Sequence, residues 1–130
     1  MKKLILTMVL AGLSHSAMAE WTRIYINNDN SVWYVELATI KKNGDLVRMW
    51  VLRDDDPITK QNNMASIKTE DEYNCRKKTY RSIINFVGYS GNIGSGDVIR
   101  KFNADADFEP IEPGTLSETH WQYACGIIKP

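Results

Sequence analysis

His120 and Ser117 stand three residues apart near the end of a 130-residue chain that carries 16 acidic side chains. Serine, histidine and an acid are the parts of a nucleophilic hydrolase, in which the imidazole takes the hydroxyl proton and a carboxylate orients the ring. The sequence supplies no Gly-x-Ser-x-Gly elbow to present the nucleophile. A lone histidine beside Trp121 is more often a packing or polar-surface residue than a catalyst. A hydrolase using Ser117, His120 and an unplaced acid is thus the least supported reading, and the chain reads as a non-enzyme without a cofactor.

Three other stretches invite chemistry. Residues 88–96 contain Gly88, Gly91, Gly94 and Gly96, and a glycine-rich backbone can cradle phosphate with its N–H groups. The Gly-Lys-Ser/Thr ending of a phosphate loop is missing, and a strand rather than a helix should follow. A mobile or tightly turned loop is the expected role. Asp54-Asp55-Asp56 could suggest calcium, but Pro57 and Ile58 follow at once where alternating oxygen ligands and a mid-loop glycine are needed. A solvated turn fits better. Cys75 and Cys125, with one histidine after residue 19, do not form a recognisable metal-ligand set.

Arg76, Lys77, Lys78 and Arg81, flanked by Tyr73 and Tyr80, form the densest basic cluster. Such a patch can steer an acidic protein surface or a sulfated glycan. It can equally be a solvated hairpin end that guards a sheet edge.

The elements expected to hold these residues are mostly strands. Residues 21–26 and 32–35 form a hairpin about Asn27-Asn28-Asp29-Asn30. Residues 38–42 read as a short connection with helical character, and Asn43-Gly44 marks a tight turn. Residues 46–53 alternate: Val47, Met49 and Val51 make a clean apolar face, and Leu46, Arg48, Trp50 and Leu52 make the other, where Arg48 implies solvent or an ion pair. The aspartates and Pro57 end that strand, and residues 58–65 read as an exposed loop. Residues 66–77 and 79–89 form a hairpin near Lys77-Lys78. Residues 98–102 are a short strand, and 105–113 a loop. Thr115-Leu116-Ser117-Glu118 has the form of a capping box, opening a helix to about Ala124 with Leu116, His120, Tyr123 and Ala124 near one face. The expected fold is α+β, a mainly antiparallel sheet with one covered face and a short C-terminal helix.

Lys2 and Lys3, an apolar run from Leu4 to Leu13, and Ala17-Met18-Ala19 have the order of a secretory leader. The uncharged stretch from 4 to 19 is short for a membrane span, which needs roughly 20 apolar residues. Residues 1–19 are read as a signal peptide and 20–130 as a single domain. That domain holds 14 basic and 16 acidic side chains, so no cationic excess drives nucleic-acid binding. In an exported protein the default for two cysteines is a disulfide. It would close a loop of about 50 residues and stabilise by about 4 kcal/mol. The alternative is two separate buried thiols.

The ordered set of segments resembles a known family. Glu20-Trp21 is followed by Trp33-Tyr34-Val35-Glu36, Thr39-Ile40-Lys41-Lys42-Asn43-Gly44 and Val47…Met49-Trp50-Val51-Leu52-Arg53. Then come Tyr73-Asn74-Cys75-Arg76, Tyr80-Arg81, Tyr89…Gly94-Ser95-Gly96, Ile111-Glu112-Pro113-Gly114-Thr115 and Tyr123-Ala124-Cys125. This resembles the surface-adhesin protein E family of Gram-negative bacteria over nearly the whole of residues 20–130. The resemblance implies an antiparallel α+β fold, a Cys75–Cys125 disulfide and a capacity to dimerise. It implies binding of host extracellular-matrix or plasma proteins rather than catalysis. Leu10-Ala11-Gly12 leads to Leu13 where a lipoprotein would carry its lipidated cysteine. The expected product is therefore periplasmic, secreted or at the cell surface, without a lipid anchor. Arg76, Lys77, Lys78, Tyr80 and Arg81, with the loop at 88–96, are the candidate partner-binding residues. An accessory protein binding the bacterium's own envelope components is the alternative.

Overall fold

Strand order follows chain order. A computed structural model describes residues 20–55 and 63–130; the predicted leader, Asp56 and Pro57, and residues 58–62 of the predicted 58–65 loop fall outside them. Strands β1 (Thr22–Ile26), β2 (Val32–Asn43), β3 (Leu46–Asp54), β4 (Ser66–Asn74), β5 (Thr79–Tyr89) and β6 (Val98–Asn103) form an antiparallel meander. A two-residue strand, β7 (Glu109–Pro110), pairs with the start of β5, at Thr79 and Tyr80, while β6 pairs with its end. The proline sits at an edge, where its missing N–H leaves no ladder bond unmade. One helix, α1 (Leu116–Ala124), closes the chain. Among the described residues no helix is long and apolar enough to cross a membrane.

The helix covers one face of the sheet. Val35, Val47, Met49, Val51, Tyr73, Ile111 and Ala124 form the buried cluster there. Cross-strand partners Val35↔Val51, Val47↔Tyr73 and Met49↔Asp71 place these side chains on one side, as the period of two in β3 requires. Arg48, Trp50 and Leu52 point to the other face. The Thr115 hydroxyl accepts the Glu118 N–H at 3.3 Å, and the Glu118 carboxylate reaches back to the Gly114 N–H at 3.2 Å. The expected cap is thus in place, shifted by one residue on its return bond. Cys75 and Cys125 are joined, Cα to Cα 5.7 Å apart, 50 residues apart in sequence.

Residues 38–42 are not helical. β2 runs on to Asn43, with three extra residues between the pairs Glu36↔Trp50 and Lys41↔Arg48. Leu37 and Ile40 both pack against the core. In a regular strand residues three apart face opposite ways; the bulge turns both inward. The hairpin between β2 and β3 needs only Gly44 and Asp45, and Gly44 takes the left-handed φ of 61° that glycine tolerates.

Two loop readings also change. Asp54 and Asp55 are not a solvated turn: Asp55 is buried and paired with Arg53 at 3.0 Å, and Asp54 accepts from the Ile93 N–H at 2.8 Å. Met64 and Ala65, at the end of the predicted exposed loop, are buried.

Candidate functional site

The basic cluster occupies the turn between β4 and β5, and its backbone is held from several sides. The Asn74 carboxamide oxygen accepts the N–H groups of Arg76 and Lys77 at 3.1 and 2.9 Å, the local bonding that favours asparagine in turns. The Cys75 N–H donates to the Asp45 carbonyl at 2.9 Å, and Cys75 is bonded to Cys125. Trp121 of α1 donates its indole N–H to the Asn74 carbonyl at 3.1 Å.

The five candidate residues part company here. Arg76 and Lys77 are exposed, and the Arg76 guanidinium is 4.0 Å from Asp45 with 78% of its side chain accessible. Lys78 is engaged inward, 2.7 Å from Glu118 and over the Trp121 ring. Its hydrogen bond holds the Glu118 carboxyl below the usual range. Tyr80 stacks on the buried Tyr73, ring centroids 6.4 Å apart. Arg81, one residue on, faces the opposite side, where its Nε donates to Glu72 at 2.9 Å and its guanidinium lies 3.5 Å from Asp105. The structure therefore brings Arg76 and Lys77 together as exposed cations, Arg76 at the edge of a solvated pair with Asp45, and gives Lys78, Tyr80 and Arg81 structural contacts.

Glu72 joins two strands across the uncovered face, since Arg48 Nε also donates to it at 2.7 Å. Burial alone would raise its pKa; the hydrogen bonds from Arg48 and Arg81 outweigh that and hold the carboxyl below its ordinary value. The same bond raises Arg48. An ion pair at Arg48 was readable from β3; its partner, on another strand, was not.

The glycine segment is the tightly turned of its two expected forms. Asn92–Gly94 is a short 3-10 turn, closed by Gly91 N–H to Ser95 carbonyl at 2.9 Å and Ser90 N–H to Asp97 carbonyl at 2.9 Å. The Ser66 hydroxyl donates to the Gly91 carbonyl at 2.6 Å and accepts the Gly94 N–H at 2.9 Å. Asn92 donates to Asp54 at 3.0 Å. Its backbone donors are thus directed inward, away from the arrangement that cradles an anion.

His120 is buried, with its ring 5.5 Å from that of Trp33. Burial lowers its pKa to about 4, so the imidazole is neutral at pH 7. Ser117, His120 and Asp71 share the walls of one cavity, yet no hydrogen bond joins them. Asp71 instead accepts the Ile83 N–H at 3.0 Å and faces the Tyr73 hydroxyl at 3.4 Å. Among the described residues no group of His, Cys, Asp and Glu has the makings of a metal site.

These features agree with comparisons to known proteins. The model of the surface-adhesin protein E family matches residues 21–126. Among curated proteins none matches the sequence. Two solved structures of Haemophilus influenzae protein E share the fold. Its crystal form II is 13% identical, covers 85% of this chain and 90% of its own, and superposes with a TM-score of 0.61. Another is 15% identical over 85% and 86% of the two chains, also with a TM-score of 0.61. The meander, the terminal helix and both bonded cysteines all lie within the matched residues, and the chain belongs to the surface-adhesin protein E family.

Proposed function

We propose that this protein is an exported, non-enzymatic binding module that engages a host extracellular-matrix or plasma protein through the β4–β5 turn. The observation that supports the turn is its preorganisation. Arg76 and Lys77 project from a backbone fixed by Asn74, by the disulfide and by Trp121. Little conformational freedom is lost when such cations meet an acidic surface. Exposed charges act mainly on association rate, so binding should weaken as salt rises.

The test is surface plasmon resonance against a panel of purified matrix and plasma proteins, with Arg76→Glu/Lys77→Glu beside the parent. At least a tenfold loss, mostly in association rate, is expected for any protein that binds. Unchanged affinity would remove the turn as the site.

A second reading is favoured by Leu13 in the lipoprotein cysteine position: a periplasmic accessory protein binding envelope components. Protease access on intact cells, beside fractionation of periplasm and medium, separates the two. Surface or medium protein supports the host-binding role. Protein confined to the periplasm supports the accessory role.

A further inference from the structure

On the helix-covered face, away from Arg76 and Lys77, a cavity of about 290 Å³ opens between the first turns of α1 and the sheet. Val51, Ile67, Phe86 and Leu116 give it apolar walls. Three further wall residues each hold a buried nitrogen with no hydrogen-bond partner among the described residues: Trp33 Nε1, Arg53 Nε and His120 Nε2. They are close together, for Trp33 and Arg53 are direct cross-strand partners and His120 packs on the Trp33 ring. Buried polar groups are normally paired, and an unpaired one costs about 1–3 kcal/mol. Trp33 Nε1 and Arg53 Nε are obligate donors, and the neutral His120 ring can donate at Nε2 in one of its two tautomers, so this corner offers donors that lack an acceptor.

We propose that this cavity binds a small neutral molecule with an apolar, ring-sized body and a carbonyl group that accepts hydrogen bonds from the Trp33–Arg53–His120 corner. Size sets the body: an apolar cavity of roughly 150 Å³ admits benzene, so this one has room for about two fused rings. Charge selects the neutral head. The Arg53 guanidinium is already paired with Asp55 at 3.0 Å, His120 is neutral at pH 7, and the acidic wall residue, Asp71, is a carboxylate that repels a second one. The Asp71 wall is also held in shape. Its carboxylate accepts the N–H of Ile83, a β-branched residue at the left-handed φ of 57°, a conformation that costs about 1–3 kcal/mol and that clusters at ligand sites. A half-apolar pocket with a few converging polar groups is the general form of a small-molecule site.

The test uses three probes of one skeleton: 2-naphthamide, 2-naphthoate and 2-methylnaphthalene. Amide chemical shifts of the full-length domain report where each binds and how tightly. The amide is expected to bind at least tenfold more tightly than the other two, shifting the Trp33 indole N–H and residues around His120. Trp33→Phe keeps a ring but removes the donor, and should bring the amide close to the hydrocarbon. Leu116→Trp, at the rim, should fill the space and abolish binding of all three. Equal affinity for amide and hydrocarbon, shifts confined to other surfaces, undiminished binding to Leu116→Trp, or no binding up to the solubility limit (a cavity that holds water only) would each overturn the proposal.

Discussion

Asp71 and Glu72 are neighbours in β4 and point to opposite sides of the sheet, and their carboxyl groups move in opposite directions. Glu72 lies on the uncovered face between Arg48 and Arg81 and is held below its ordinary pKa. Asp71 lies under the helix-covered side with no cation against it, and burial raises it from 3.8 to about 6 despite the Ile83 and Tyr73 hydrogen bonds. Glu72 is thus held charged by the two cations against it. Asp71 sits beside apolar packing, backbone strain and a neutral histidine instead. The second combination characterises functional pockets more than structural cores.

The largest expected effect tests the covered face itself. Met49 has no exposed surface, whereas its neighbour Arg48 keeps 42% of its side chain accessible. Met49→Ala should cost about 2–5 kcal/mol by removing buried contacts and leaving a cavity. Arg48→Ala should cost about 1 kcal/mol, as expected for a pair that solvent partly screens. Urea unfolding of the two variants measures the contrast, and equal losses would contradict the division of faces.

The next effect is a pH dependence with two opposing parts. A carboxyl whose folded pKa is raised holds its proton more tightly when folded, so the Asp71 contribution falls as pH rises from about 4 to about 6. His120 is lowered from 6.5 to about 4, so the unfolded chain binds that proton more readily, and its contribution rises with pH across about 4 to 6.5. Each amounts to about 3 kcal/mol, and they largely cancel in the parent between pH 4 and 6. Asp71→Asn keeps an acceptor for Ile83 and should leave stability climbing steeply with pH. His120→Gln should leave it falling. Urea midpoints from pH 4 to 7 read both slopes, and three proteins with one common slope would refute this pairing.

The smallest effect lies on the uncovered face. Glu72→Gln leaves Arg48 and Arg81 without their shared carboxylate and should cost about 1–2 kcal/mol, discounted because both arginines are partly solvated. The loss should shrink in high salt. A salt-independent loss would show that packing, not charge, accounts for it.

Much of the fold is legible where one strand carries its own pattern. Val47, Met49 and Val51 alternate with Arg48 and Trp50; Asn43-Gly44 marks a hairpin; Thr115 and Glu118 bracket a helix start. Features that depend on a partner strand were hidden. Leu37 and Ile40 reach the core together only because β3 accommodates a bulge opposite them. Ile83 is left-handed because two extra residues of β5 face the β4 stretch between Glu70 and Glu72, where Asp71 receives the freed N–H. The basic cluster looked continuous in sequence, yet the period of two already separates Tyr80 from Arg81. The cavity draws its walls from β2, β3, β4, β5 and α1, so no local motif announces it. Ser117 and His120 drew notice as a pair, but for a chemistry that the absence of a bond between them does not support.

The contrast between the two faces rests most directly on the neighbouring carboxyls of β4. Carbon-detected NMR of the side-chain carboxyls, followed from pH 2 to 8, would titrate both in one sample. Asp71 is expected to titrate near 6 and Glu72 below 4.5. Asp71 titrating near 4, or Glu72 above 4.5, would contradict the contrast between a buried carboxyl with no cation against it and one held between two arginines.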